Sequence, residues 1–272
     1  MTKDLIITEN PKSRFAESIK TIRTNLAFAN VDNGLKVILN TSPEMGDGKS
    51  FISANLALAF AQDNKKVLLI DCDLRRGRQH KIFGVENSSK GGYANLILNF
   101  RSDTRLSAYI KRTAFKNLHV LPIGITPPNP VEILASNNNQ LLLEKLKNIY
   151  DIIILDCPPV LGLSDTMILT KYSDANMLTV SIKKTKYEAI EQVKKEFAKA
   201  KAKITGVVVN KDRTKGKSYY GYGYYTEDNK KPKHKKEDIP TIDFEEENIG
   251  NKKQSNAAVT SSVVSSIVKN NK

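Results

Sequence analysis

Residues 35–51 read LKVILNTSPEMGDGKSF. An apolar run at Val37, Ile38 and Leu39 predicts a strand, Gly46 and Gly48 space a turn, and the segment from Ser50 to Ala61 predicts a helix. Small residues let backbone N–H groups close on an anion, and the positive end of the helix dipole faces the same place. Lys49 then reaches β- and γ-phosphates as a point charge, while the Ser50 hydroxyl sits on a Mg²⁺ ion. The stretch reads as a phosphate-binding loop. The strict G-x-x-x-x-G-K-[ST] spacing is not met, because Pro43 stands where the first glycine belongs. The assignment therefore rests on what the rest of the chain supplies.

Two further apolar runs end in carboxylates: Lys66 to Asp73, KVLLIDCD, and Ile152 to Asp156, followed by Cys157-Pro158-Pro159. Continuous aliphatic runs without alternation are the pattern of strands covered on both faces of a parallel sheet. His119–Pro122, Ala175–Ile182 and Ile204–Val209 are further strand candidates, with helical patterns at Asn138–Ile149 and Tyr187–Lys201. The alternation predicts an α/β fold with a doubly wound, mostly parallel sheet. Ligands of such sheets bind beyond the carboxyl ends of the strands. Asp71, Asp73 and Asp156 each stand where a run stops, so they should converge with Lys49 on one crevice. Any one of them alone reads as a strand-terminating turn residue; the combination does not.

The chain has 272 residues and 40% hydrophobic content, enough for one sizeable domain with appendages. Its net charge of +14 suits acidic partners such as nucleotide phosphates, an anionic membrane face or nucleic acid, and equally a lysine-rich solvated surface. Two cysteines, Cys72 and Cys157, both inside the motifs above, predict no disulfide scaffold and suit a reducing cytosol. Neither a signal peptide nor a membrane-length apolar run is read, so any membrane role would be borrowed from a partner. Residues 1–12 read as an extended lead-in. From Arg14 to Asn30, Phe15, Ile19, Ile22 and Leu26 fall at helical spacing, with Glu17, Lys20 and Arg23 forming a charged stripe. From Lys211 onward the composition offers little to bury. The expected organisation is a lead-in and charged helix at 1–34, a core at 35–211, a tyrosine-rich cluster at 212–229 and a polar tail at 230–272.

Gly46-Asp47-Gly48-Lys49-Ser50 resembles the Walker A motif of the bacterial protein tyrosine kinases of capsule and exopolysaccharide systems. Val67–Arg75, VLLIDCDLR, resembles the Walker A′ pattern of that family, and Ile152–Pro159, IIILDCPP, its Walker B pattern. Gly124–Leu134, GITPPNPVEIL, and the tyrosines Tyr219, Tyr220, Tyr222, Tyr224 and Tyr225 match as well. The chain resembles the separate cytoplasmic kinase subunits of Gram-positive bacteria. The resemblance implies a P-loop NTPase fold, ATP and Mg²⁺ as cofactors, and a tyrosine autokinase. It implies nucleotide contacts at Gly46, Asp47, Gly48, Lys49, Ser50, Phe51 and Asn210, and metal contacts at Ser50, Asp73 and Asp156. Asp71 would take or orient the tyrosine proton. Arg75 is either a charge stabiliser near the γ-phosphate or a structural ion-pair partner, and Asn210 either an adenine-side residue or a turn residue. The implied partners are a transmembrane adaptor that recruits the chain to the inner face of the membrane, a homo-oligomer, possibly a ring, a cognate phosphatase and other protein substrates. The tyrosine cluster would be the autophosphorylation site. Glu17, Lys20 and Arg23 match the oligomer motif E-x-x-R-x-x-R except that Lys20 replaces an arginine, and Lys cannot reproduce a bidentate Arg contact.

Three rival readings share part of this pattern. A ParA/MinD-like ATPase switch shares the fold but carries a lysine early in the loop, where this chain has Ser42-Pro43-Glu44-Met45. A nucleic-acid binder would use lysines around stacking tyrosines and would leave the carboxylate motifs unexplained, so no nucleic acid is expected. A nucleotide-bound scaffold of polysaccharide assembly without kinase output stays open.

Overall fold

The computed structural model describes residues 4–29, 34–182 and 184–212. The tyrosine cluster at 219–225 and the tail at 230–272 lie outside the described residues. Within them, one sheet contains β1 (Val37–Thr41), β2 (Val67–Asp71), β3 (Lys111–Arg112), β4 (Leu118–Leu121), β5 (Ile152–Asp156), β6 (Ala175–Ser181) and β7 (Gly206–Asn210). Their order across the sheet is β3-β4-β2-β5-β1-β6-β7, and every pairing is parallel except β3 with β4. The helices are α1 (Ile6–Glu9), α2 (Arg14–Ala29), α3 (Lys49–Gln62), α4 (Gln79–Phe83), α5 (Tyr93–Leu98), α6 (Pro130–Ala135), α7 (Asn137–Lys147), α8 (Asp165–Leu169) and α9 (Tyr187–Lys199).

The two-residue period of the strands divides the core. Ile38, Leu69 and Ile154 face one way and pack with Ile19 and Leu26 of α2 and with the apolar residues of α3. Leu39, Leu68 and Ile153 face the other way, against Tyr93 and Leu96 of α5 and Leu142 and Leu146 of α7. Both faces are thus covered, which is why β1, β2 and β5 carry unbroken aliphatic runs. Helix α3 is itself apolar nearly all round, since it lies between α2 and the sheet. A third cluster joins Leu178 and Val180 of β6 to Val193 and Phe197 of α9.

The expected extended lead-in over residues 1–12 is corrected: α1 forms there. Leu5 and Ile7 are buried, and the Ile7 amide donates to Asn55 Oδ1 on α3 at 3.2 Å, so apolar burial and a side-chain acceptor hold the segment against the core. Helix α2 runs as its periodicity predicts. Helices α4, α5, α6 and α8, five or six residues each, and the two-residue strand β3 are too short for periodicity to show.

Candidate active site

Two residues past the apolar row Leu69–Ile154–Ile38, the same face carries Asp71, Asp156 and Asn40, because β2, β5 and β1 run in register there. Side chains directly opposite on neighbouring strands stand about 5 Å apart, so two carboxylates and an amide replace the core at the sheet's carboxyl edge. Asp156 is held on both oxygens: Ser53 Oγ donates to Oδ1 at 3.1 Å and Gln79 Nε2 to Oδ2 at 2.7 Å. Asn40 Nδ2 donates to Ser53 Oγ at 2.9 Å, fixing that hydroxyl. Asp71 Oδ2 accepts from the Gln79 amide at 2.9 Å, while its Oδ1 has no partner among the described residues. Asp71 and Asp156 are both 0% exposed. Burial, reinforced by the adjacent Asp156 charge, pushes the Asp71 carboxyl up to about 8.

The loop after β1 approaches this row from the side. Gly48 has φ +100°, and α3 starts at the next residue. A Cβ there would lie 2.0 Å from Asn210 Nδ2, so the position needs glycine on two counts. Asp47 braces the loop from beneath: Oδ2 accepts from the Glu44 amide at 3.1 Å and Oδ1 from Thr185 Oγ1 at 3.2 Å, with Lys184 Nζ 3.6 Å away. Asn210 Nδ2 donates to the Asp47 carbonyl at 2.8 Å, and Lys184 and Lys211 donate to the carbonyls of Met45 and Gly46. Lys49 points at the acids, its Nζ 3.1 Å from Asp73 Oδ2 and 4.0 Å from Asp156 Oδ1. Burial by itself would lower its pKa, but the charges of Asp156, Asp73 and Asp71 outweigh that and raise it. The ammonium therefore stays charged.

These parts surround a cavity of about 390 Å³. Of the residues singled out in the sequence, Gly46, Gly48, Lys49, Ser50, Phe51 and Asp73 line it. Asp71, Asp156 and Asp47 lie behind the lining, fully buried. Asn210 closes on the loop backbone. Arg75 sits elsewhere, its Nη2 3.1 Å from Asp165 Oδ1, which is the ion-pair alternative. Glu17 and Lys20 pair with each other at 2.7 Å on the exposed face of α2, while Arg23 turns inward, donating to the Ala59 carbonyl at 3.0 Å. The cavity also has residues that sequence reasoning missed: Arg76, Arg78 and Lys211 in its lining, and Gln79 behind it. Asn40 was missed as well; its signal is its place two residues past Ile38, which puts it on the face of Asp156 once β1 pairs with β5. Gln79 lies six residues past the D-x-D motif and gives no local signal.

The donor set fits Mg²⁺ with a nucleotide. A hard cation held by one or two carboxylates, a hydroxyl and phosphate oxygens needs no all-protein cage, and none is found among the described residues. Ser50 and Asp73 present oxygens to the cavity, with Asp156 directly behind, and the unpartnered Asp71 Oδ1 leaves acceptor capacity in the same cluster.

A family described as an AAA domain matches residues 35–209. The chain is 39% identical over 229 residues to the tyrosine-protein kinase YwqD of Bacillus subtilis (strain 168), covering 84% of this chain and 94% of that one. It is 38% identical over 224 residues to CapB of Staphylococcus aureus, covering 82% and 96%. The chain belongs to the bacterial tyrosine-kinase family. Among solved members, the kinase domain of the Escherichia coli tyrosine kinase ETK superposes with a TM-score of 0.73 at 29% identity, over 81% of this chain and 84% of that one. The chimerical protein CapA2B2 superposes with a TM-score of 0.71 at 34% identity, over 77% and 90%. The fold reaches further than the family: the septum site-determining protein MinD of Pyrococcus horikoshii, complexed with Mg-ADP, matches with a TM-score of 0.52 at 24% identity over 64% of this chain and 69% of that one. Among the described residues, no helix is long and apolar enough to cross a membrane.

Proposed function

We propose that the chain is an ATP-dependent protein tyrosine autokinase, which modifies the cluster Tyr219, Tyr220, Tyr222, Tyr224 and Tyr225 of a second copy. In this reading it works with a transmembrane adaptor in the control of capsular or exopolysaccharide synthesis, as its family resemblance implies. The observation that carries the reading is the convergence of Lys49, Asp73, Asp71 and Asp156 behind one glycine-spaced loop at the carboxyl edge of the sheet. Phosphoryl transfer is mostly alignment and charge neutralisation. Lys49 and the loop amides would hold the β- and γ-phosphates; Ser50, Asp73 and Asp156 would hold Mg²⁺, directly or through water. When bound, such a metal would supply charge compensation for the phosphate oxygens. The tyrosine Oη–phosphorus bond forms as the bond from the γ-phosphorus to its bridging oxygen breaks; ADP leaves and the phenolic proton passes to Asp71. Asn210 is proposed as the adenine-side residue, and residues 35–211 as the catalytic unit. Glu17, Lys20 and Arg23 are proposed to take part in the contact between copies. The internal bonds of Arg23 make Glu17 and Lys20 its freer members.

The test mixes a Lys49→Met chain, tyrosines intact, with an active chain whose five cluster tyrosines are changed to Phe. Phosphotyrosine should appear on the Lys49→Met chain, measured by mass spectrometry, and rise when the adaptor's cytoplasmic segment is added. Its absence from that chain in both mixtures refutes transfer between copies.

A further inference from the structure

The turn after β2 carries two arginines that the phosphate chemistry leaves unused. Arg76 and Arg78 both line the cavity and are exposed, and neither guanidinium has an acidic partner among the described residues. The other cations of the lining are committed, Lys49 to Asp73 and Lys211 to the Gly46 carbonyl. The turn itself is fastened to the carboxylates. The Arg76 amide donates to Asp73 Oδ1 at 3.0 Å, and the Gln79 amide to Asp71 Oδ2 at 2.9 Å. Between them Gly77 packs so closely that a Cβ would lie 2.7 Å from Asp71 Oδ2. Both arginines therefore project from backbone held against the two acids, the side of the cavity where an acceptor hydroxyl must stand if a carboxylate takes its proton.

The sequence contains a segment of matching charge. From Arg213 to Thr226 the chain has no acidic residue; Lys215 and Lys217 precede the tyrosines, and Glu227 and Asp228 follow Tyr225 directly after Thr226. An extended chain advances about 3.3 Å per residue, so side chains two and three places past an acceptor lie within reach of an arginine anchored beside it. Guanidinium groups prefer carboxylates in bidentate pairs. Besides Asp73, Asp4 is the one acid of the lining among the described residues, and it would repel the same segment, which leaves the arginines as the groups to attach it.

We propose that Arg76 and Arg78 are specificity residues that bind acidic side chains just C-terminal to the acceptor tyrosine, so that Tyr225 of a second copy, followed by Glu227 and Asp228, is the first tyrosine modified. The inference rests on the autokinase reading above and deepens it by naming the acceptor class. The transfer step is the one already written, with Tyr225 Oη as the attacking oxygen.

The experiment uses full-length chains, the active one with its five cluster tyrosines changed to Phe and the acceptor with Lys49→Met. Initial rates are read separately at Tyr225 and Tyr219. Glu227→Lys with Asp228→Lys in the acceptor should slow Tyr225 about five- to tenfold, as expected for two partly exposed charge pairs, and leave Tyr219 unchanged. Arg76→Glu with Arg78→Glu in the active chain should slow Tyr225 of the unmodified acceptor similarly, and the lysine-bearing acceptor should recover most of that loss. Equal Tyr225 rates whatever the charges, or arginine variants that lose ADP affinity and are not rescued by the swapped acceptor, overturn the proposal and leave the autokinase reading standing. Absence of transfer in the unmodified mixture, both without and with the adaptor's cytoplasmic segment, overturns both.

Discussion

Asp71→Asn is the perturbation whose effect the geometry fixes most tightly. In the metal- and nucleotide-free protein, burial and then Asp156 raise the Asp71 carboxyl from the ordinary value of 3.8 to about 8. The folded state therefore binds more protons than the unfolded state between those values. The stabilisation is fully present below the unfolded pKa and is lost as pH rises through the folded one. Each pH unit inside the window is worth about 1.4 kcal/mol for a single group. From pH 5 to pH 7.5 the loss attributable to this proton is about 3 kcal/mol as an upper figure, since part of the shift comes from the neighbouring Asp156 charge. Asparagine mimics the protonated acid and can still accept from the Gln79 amide. The variant should match the wild type near pH 5 and exceed it by about 2–3 kcal/mol near pH 7.5. Urea unfolding in a chelator, followed by circular dichroism at half-unit pH steps, measures it. Burial lowers His80 and His119, which gives the opposite slope, but both are common to the two chains and cancel in the difference. Parallel stability curves for the two chains refute the reasoning.

Lys49→Met should fold and lose phosphoryl transfer by at least about a hundredfold, because it removes the cation aimed at the phosphates from among three acids; a folded variant with wild-type turnover sinks the assignment. Asp156→Asn should weaken Mg²⁺-dependent nucleotide affinity, whereas Asp71→Asn should lower turnover more than affinity, a contrast read by titrating nucleotide with and without Mg²⁺. Gln79→Ala should cost about 1–3 kcal/mol in chemical unfolding, since it strips the Asp156 Oδ2 partner in a buried site; an unchanged midpoint counts against that role. Gly77→Ala should slow turnover while nucleotide affinity holds, because its Cβ meets Asp71 and Ile123 before it meets the loop.

The sheet was readable because burial on both faces leaves little but aliphatics in β1, β2 and β5, and the site was readable because acids end two of those strands. What escaped was non-local. Gln79 earns its place by touching Asp156, 77 positions away in sequence, and Ser50 by backbone. Arg75 carries a motif position, yet a buried acid on α8, Asp165, claims its guanidinium. Arg76 and Arg78 follow no period, and only the turn's attachment to Asp73 and Asp71 aims them at the cavity. The bracing of Asp47 by Thr185 and Lys184 likewise joins segments 138 and 137 residues apart, as the numbering shows. Periodicity reports which face is buried, not which distant chain arrives there.

The strand order also dictates when this site can exist during synthesis. β1 pairs with β5 and β6, and β2 pairs with β4 and β5; the two strands that lead into the phosphate loop and the D-x-D turn do not pair with each other. Until residues 152–156 have left the ribosome β1 has no partner strand, since β5 and β6 both follow it, and the first motif is joined to the second only through the packing of α3 on β2. Closing the gap requires β5 to insert between partners made more than eighty residues earlier, a non-local step of the kind that slows folding. The strand that carries the glycine-spaced loop and the strand that carries the D-x-D motif therefore join one sheet only when β5, with Asp156 at its end, arrives between them.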